Sequence, residues 1–471
     1  MGSDITISLW LFILLLCIAG ISLMDRILIP STRWFLSRRI KRVIEEIGSR
    51  LDIEIRPFQL TKRQVLIDRL SYDPKVIEAI KSHAAENHLP LEMVQKKAIR
   101  YAKEIIPSFN AYFYFRTGYW IAKRIARLLY RVRVGLVPDD AYRRIDPDST
   151  VVFVMNHRSN MDYIIVAFLA AERTTLSYAV GEWAKIWPLH MLFRFMGAFF
   201  VRRNSKNPLY RRVLERYIHM ATQEGVCQAV FLEGGLSRDG RMGKPKLGLV
   251  DYMLRHFDPQ RDRDLVFIPV GINYDRTIED RSLLRSLDPD APAKGVLFIL
   301  RKTIGFIGRN IVQMMFSQWR RFGYACVNFG NPISIQSYCR TKNVVFSNLE
   351  REERFPLIEV LCESLLKEIS HVIPVVPISV LAVIFLDAGD EALTVQMIEY
   401  RSQQLIQQLS DQGAPVFDIS QSARSQMISD TLEMMLIRRM IHVDKGRLII
   451  VADQIPLLKY YANAINHWIN L

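Results

Sequence analysis

The chain has 471 residues, half of them hydrophobic and 24% charged, which excludes a disordered polymer and provides for two or three structural units around at least one sizeable core. The formal net charge of +15 calls for an anionic partner (nucleic acid, anionic lipid or a phosphorylated metabolite) without choosing among them. Cys17, Cys227, Cys326, Cys339 and Cys362 are odd in number and form no C-x-x-C pair; they read as reduced core residues on the cytosolic side, not as a disulfide frame or zinc site.

Ile5 to Met24 carries no charge, and the run is about as long as a membrane-spanning helix. Asp4 precedes it and no cleavage pattern follows, so a retained anchor is expected in preference to a signal peptide. Arg26, Arg33, Arg38, Arg39, Lys41 and Arg42 follow; the positive-inside rule then places the rest of the chain in the cytoplasm. These charges either rest against anionic headgroups or lie on an ordinary solvated helix. The first unit is thus residues 1–32, a transmembrane anchor and basic flank.

Residues 33–130 form a helical N-terminal region, with Tyr72-Asp73-Pro74 and Leu89-Pro90 marking turns or helix starts. Its last stretch, Ala111 to Tyr130, interleaves Tyr112, Phe113, Tyr114, Phe115, Tyr119 and Trp120 with Arg116, Lys123, Arg124 and Arg127. Such a helix lies at a membrane interface or packs under the next domain with a basic edge.

Across 131–340 short β-branched runs alternate with helical stretches. The predicted strands are Val151–Met155, Thr175–Val180, Val230–Leu232, Leu265–Val270 and Ala325–Phe329, and the predicted helices are Tyr163–Ala171, Pro208–Glu224 and Gly248–His256. This alternation predicts an α/β layered domain. Residues 341–471 are mainly helical. Val372–Leu386 is apolar but short and interrupted by Pro374 and Pro377, which favours a buried or interfacial segment over a membrane crossing. Asp444-Lys445-Gly446 between two short apolar runs predicts a β-hairpin, covered by a final helix from Gln454 to Asn470.

Four blocks carry the chemistry. Asn156-His157-Arg158-Ser159-Asn160-Met161-Asp162 follows the first strand directly, at the usual place for an α/β site. Acylating an alcohol at neutral pH needs a base, which histidine can supply, and a carboxylate on its other nitrogen fixes the tautomer. His157 and Asp162 meet if the chain turns into a helix between them; alone, this spacing also fits a capping Asp and a surface His. Gly197-Ala198-Phe199-Phe200-Val201-Arg202-Arg203 ends in two guanidinium groups suited to phosphate, or to solvent at a strand end. Phe231-Leu232-Glu233-Gly234-Gly235-Leu236-Ser237-Arg238 offers exposed backbone amides, a carboxylate and a cation, with Lys246 close behind. Val266 to Ile272, followed by Asn273-Tyr274, reads as a core strand with Pro269 at a bulge or edge.

In this order the four blocks resemble the glycerolipid acyltransferase superfamily, most of all the bacterial membrane-bound glycerol-3-phosphate acyltransferases. The resemblance runs from about residue 110 to 340 and returns at Leu457-Leu458-Lys459-Tyr460-Tyr461 and Asn463. It implies a mixed sheet flanked by helices, with His157 as catalytic base and Asp162 as its partner. Arg202, Arg203, Glu233, Gly234, Arg238 and Lys246 would hold glycerol 3-phosphate. Leu236 stands where the family usually has an arginine, so that contact is missing or comes from Arg203, Lys244 or Lys246.

The expected reaction moves a fatty acyl group from acyl-CoA or acyl carrier protein to the sn-1 hydroxyl of glycerol 3-phosphate, the first step of phospholipid synthesis, with no metal and no cofactor beyond the thioester. The other acceptors considered are 1-acylglycerol 3-phosphate and dihydroxyacetone phosphate. The expected location is the inner or plasma membrane, among phospholipids, with the catalytic domain on the cytoplasmic side. A non-catalytic basic scaffold for lipid or nucleic acid is the reading from another class; no zinc-finger, RRM or homeodomain signature supports a nucleic-acid partner.

Overall fold

The computed structural model describes residues 56–170, 175–181, 189–202, 205–287, 322–416 and 421–469. The expected anchor and basic flank at 1–32 lie outside the described residues. After a single helical turn at Pro57–Leu60, the first longer helices are α1 (Arg63–Ser71), α2 (Pro74–Glu86) and α3 (Leu91–Ile105). The Tyr72-Asp73-Pro74 signal is a helix start: the Asp73 carboxylate accepts the amides of Lys75 and Val76, and Pro74 occupies the first helical position. Val94, Ala98, Tyr101, Ala102 and Ile105 form the buried stripe of α3. The aromatic stretch opens as a π-helical segment, Phe113–Gly118, and continues as α4 (Tyr119–Leu129). Ala122 and Ala126 face inward from α4 while Trp120 is exposed.

The α/β unit follows in chain order. It contains β1 (Arg131–Val134), β2 (Thr150–Met155), α5 (Met161–Ala170), β3 (Ser177–Val180), β4 (Phe199–Phe200), α6 (Pro208–Gln223), β5 (Gln228–Phe231) and α7 (Gly248–Leu254). Then come β6 (Leu265–Tyr274), α8 (Asp280–Arg285), β7 (Tyr324–Phe329) and β8 (Ile333–Ser334). The strands make one mixed sheet in the order β1-β7-β6-β2-β5-β3-β4, with β8 also on β6. Strands β6, β2, β5, β3 and β4 are mutually parallel, whereas β7 and β8 run antiparallel to β6.

Both sheet faces are covered, so the period of two along each strand sorts side chains into two cores. Val152, Val154, Val230, Leu232 and Phe267 pack with α1 to α3, α6 and α7. Met155, Phe231, Val266, Ile268 and Tyr274 pack with α4 and α5 on the other face.

Pro269 is not on an edge strand. It lies inside β6, opposite Val154 of β2. On its other side the partner changes from β8, at Val266 and Phe267, to β7, from Val270 onward. The missing amide hydrogen falls at that break, and the Pro269 carbonyl accepts Gly330 N–H at 2.7 Å.

The C-terminal part holds α9 (Arg351–Val372), α10 (Pro377–Ala388), α11 (Val395–Asp411) and α12 (Gln421–Ile437). Among the described residues no single helix is long and apolar enough to cross a membrane. The apolar run at Val372–Leu386 bends by 90° between α9 and α10, and Ile378 to Phe385 are buried in a separate core. A hairpin of β9 (Ile441–Asp444) and β10 (Arg447–Ile450) turns through Lys445 and Gly446, both at positive φ. The expected single helix over 454–470 is divided. It begins as α13 (Ile455–Ala462) and passes at Asn463 into a 3-10 turn, where the Asn463 amide donates to the Asp239 carbonyl at 2.8 Å.

Candidate active site

Because β6, β2, β5, β3 and β4 are parallel, their carboxyl ends share one edge of the sheet. His157 stands two residues beyond β2, Glu233 two beyond β5 and Arg202 two beyond β4. The edge therefore gathers blocks that are far apart in sequence.

Asn156 lets the chain leave the sheet here. Its side-chain oxygen accepts Ile272 N–H at 2.8 Å and its NH2 donates to the Ile272 carbonyl at 2.9 Å. The side chain thus continues the ladder with β6 while the main chain turns away. His157 Nδ1 then lies 2.9 Å from Asp162 Oδ2, and both side chains are buried. The same oxygen accepts the amides of Arg158 at 2.7 Å and Ser159 at 3.1 Å. Asp162 sits in the first turn of α5, where the helix dipole favours a negative charge.

A carboxylate can only accept, so Nδ1 carries the proton of a neutral imidazole and Nε2 presents its lone pair. Nε2 is buried and makes no hydrogen bond among the described residues. The imidazole stacks on Phe231 at 3.9 Å and meets the edge of Tyr163 at 5.4 Å. The arrangement is an oriented base with one open nitrogen in apolar surroundings.

The Glu233 carboxylate holds the main chain of the site. Oε1 accepts His157 N–H at 3.0 Å and Oε2 accepts Gly243 N–H at 2.7 Å. Burial pushes Glu233 above the usual carboxylate range, opposed by these two amides and by Arg158. Ser237 N–H closes the loop onto the His157 carbonyl at 2.9 Å. Gly234 has φ +65°, and a Cβ there would come within 2.8 Å of Lys246 Cγ. Gly234 and Lys246 are therefore neighbours, and the side chains of Lys246 and Arg238 are exposed.

Arg202 is differently placed. Its Nε and Nη2 donate to the two carboxylate oxygens of Glu104 on α3, at 2.9 and 2.6 Å. The guanidinium also lies 5.1 Å from each of the Tyr101 and Tyr210 rings. The bonds to Glu104 hold its pKa above the ordinary arginine value. The Nε–Nη2 edge of the guanidinium is therefore already engaged. Arg203 lies outside the described residues.

Two further groups complete the site. Tyr274, at the end of β6, donates its hydroxyl to Asp162 Oδ1. Burial, followed by the Asp162 charge, pushes this phenol well above its usual range and keeps it a donor. Glu279 accepts Ser159 Oγ at 2.7 Å, Asn160 N–H at 3.2 Å and Asn160 Nδ2 at 3.0 Å, tying down the far side of the loop. The sequence signal for Tyr274 is its parity with Val266, Ile268, Val270 and Ile272; Glu279 has no comparable signal.

Two family models match parts of the chain. The model named Acyltransferase matches residues 139–273, and that of the glycerol-3-phosphate acyltransferase C-terminal region matches residues 310–471. Each model covers less than half of the chain. The curated proteins it resembles include bacterial glycerol-3-phosphate acyltransferases. The protein of that name from Ectopseudomonas mendocina is 32% identical over 283 residues, covering 59% of this chain and 32% of that one. The one from Aeromonas hydrophila is 28% identical over 450 residues, covering 92% of this chain and 53% of that one. The chain thus spans about a third to a half of the length of these curated relatives. Among solved structures, the 1-acyl-sn-glycerophosphate acyltransferase of Thermotoga maritima aligns at 16% identity with a TM-score of 0.30, over 54% of this chain and 78% of that one.

Proposed function

We propose that the protein is a glycerol-3-phosphate 1-O-acyltransferase, taking a fatty acyl group from acyl-CoA or acyl carrier protein. The observation that carries this reading is the buried His157–Asp162 pair at 2.9 Å with Nε2 left without a partner. Nε2 takes the proton of the sn-1 hydroxyl as that oxygen attacks the thioester carbonyl. The carbon–sulfur bond then breaks, and the imidazolium returns its proton to the leaving thiolate. The products are 1-acylglycerol 3-phosphate and the free thiol. Asp162 steadies the imidazolium throughout, and the scheme calls for no metal.

The phosphate is received by Arg238 and Lys246, the exposed cations of the third block, with Gly234 opening the approach beside Lys246. Arg203 is a further candidate. Arg202 joins through Nη1, which Glu104 does not take, or by exchanging Glu104 for phosphate. Glu233 serves this site by fixing the amide of the base. The segment 1–32 anchors the chain in the inner or plasma membrane among phospholipids, with the catalytic unit on the cytoplasmic side.

The test uses the purified full chain with labelled glycerol 3-phosphate and each thioester donor, with product regiochemistry read out. Formation of the sn-1 ester that disappears in His157→Ala is expected. Turnover with 1-acylglycerol 3-phosphate or dihydroxyacetone phosphate alone would reassign the acceptor. No transfer to any of the three would overturn the reading.

A further inference from the structure

Arg158 follows the base directly and is 3% exposed; the Glu233 carboxylate feels its charge, yet no direct ion pair holds it among the described residues. Nη1 donates to the Gly240 carbonyl, while Nε and Nη2 are buried without hydrogen bonds among the described residues. Burying a cation on these terms is costly, and a folded protein that keeps one must offset the cost locally. Here the guanidinium carbon lies 4.8 Å from the centre of the Tyr460 ring, on α13. The negative face of a desolvated aromatic ring attracts a cation.

The contact is part of a wider docking of α13 on the site. A Cβ at Gly240, whose φ is +90°, would lie 1.9 Å from the Tyr460 carbonyl oxygen. The backbone of α13 therefore packs directly against the loop that holds Arg158. The next tyrosine works on the opposite side. The Tyr461 hydroxyl donates to Asp280 and accepts Thr277 N–H at 3.2 Å and Arg438 Nη1 at 3.0 Å. Asp280 is adjacent to Glu279, which grips Ser159 and Asn160. Two consecutive tyrosines thus brace the loop between His157 and Asp162 from two directions.

We propose that Tyr460 is a positioning residue for His157, acting through the ring face it offers to the buried Arg158 guanidinium. The proposal rests on the acyl-transfer reading for its kinetic consequence and on the packing alone for its structural one. Loss of the ring leaves Arg158 buried with one hydrogen bond, and the loop shifts to rehydrate it, displacing the imidazole that precedes it.

The experiment compares Tyr460→Leu, Tyr460→Phe, Arg158→Met and the double variant Arg158→Met/Tyr460→Leu in the full chain. Two quantities are read: steady-state transfer to glycerol 3-phosphate, and amide hydrogen exchange of the peptide spanning residues 156–163. Tyr460→Leu is expected to lower kcat about tenfold while the acceptor KM changes less than about twofold, the sign of a misplaced base. Tyr460→Phe, which keeps the ring, restores turnover and native exchange. The double variant is no slower than Arg158→Met, because both changes remove one contact. Exchange of the loop amides quickens in Tyr460→Leu and in Arg158→Met.

Additive losses in the double variant, a Phe variant as slow as the Leu variant, or native loop exchange in Tyr460→Leu would each overturn the proposal. If Tyr460→Leu does not fold, Arg158→Met decides: quickened exchange supports the contact and native exchange refutes it. A native protein without acyl transfer would refute the functional reading instead, and the exchange measurement would still decide the role of Tyr460.

Discussion

The hydroxyl of Tyr274 donates to Asp162 Oδ1, the carboxylate oxygen turned away from His157, while Oδ2 takes the imidazole and two amides. The carboxylate is therefore held at both oxygens and cannot rotate away from the base. In Tyr274→Phe one buried oxygen loses its partner, at a cost of about 1–3 kcal/mol. If half of that cost falls on the geometry of the base, kcat drops by about two- to tenfold. Steady-state kinetics with unchanged turnover would show that Tyr274 only packs.

His157→Ala removes the base itself. General-base catalysis is typically worth about 10²–10⁴ in rate, so a loss of that order is expected with far-UV circular dichroism unchanged. Asp162→Asn should lose a similar amount. An amide in place of Oδ2 can no longer both accept from the loop amides and hold Nδ1–H.

Arg238→Ala and Arg202→Ala should behave differently although both remove an arginine. Arg238 is exposed, and its loss is expected to raise the acceptor KM about tenfold with kcat little changed. Arg202 is tied to Glu104, so its loss frees a half-buried carboxylate between α3 and the sheet and lowers the melting temperature. Equal KM effects with no loss of stability in Arg202→Ala would place phosphate on Arg202 after all.

Glu233→Gln tests the scaffold of the loop. A glutamine has one accepting oxygen for the two amides of His157 and Gly243, and its NH2 must face a donor. Both stability and kcat should fall, by about 1–3 kcal/mol in denaturant titration. A fully stable, fully active variant would leave Glu233 without a role in holding the base.

One pH effect is expected away from the site. Burial, then the charges of Arg216, His256 and Lys75, pushes His219 down to about 4 from 6.5. It stays neutral in the fold while the unfolded chain takes up a proton below pH about 6.5. The contribution to stability is therefore complete above that pH and is lost as pH falls toward 4. Urea midpoints measured across this window should decline, and His219→Gln should flatten the decline.

What was legible in the sequence follows from how local its cause is. Strands buried on both faces read as continuous apolar runs, which marks β2, β5, β6 and β7. Strand β1 alternates arginine and valine on an exposed edge, and β4 and β8 are two residues long. These three exist because of their neighbours β7, β3 and β6, and their residues give no warning of it. The closeness of His157 and Asp162 could be read from their spacing across a loop-to-helix junction. Tyr274 is 112 positions from Asp162, and Glu104 is 98 from Arg202. Such pairings depend on strand register and helix docking, which one sequence does not display. The interior position of Pro269 has the same origin, since a change of neighbouring strand cannot be seen from one strand alone.

The core beneath the sheet has an owner on each side of residue 130. Phe58, Leu66, Ile80, Val94 and Ile105 lie in the same apolar cluster as Val152, Val154, Val230 and Leu232, and Glu104 reaches across to Arg202. The stretch with the matching acyltransferase sequence is therefore not an excisable module. A graft that moved it into a foreign scaffold would strip one wall from its interior unless residues 56–130 travelled with it.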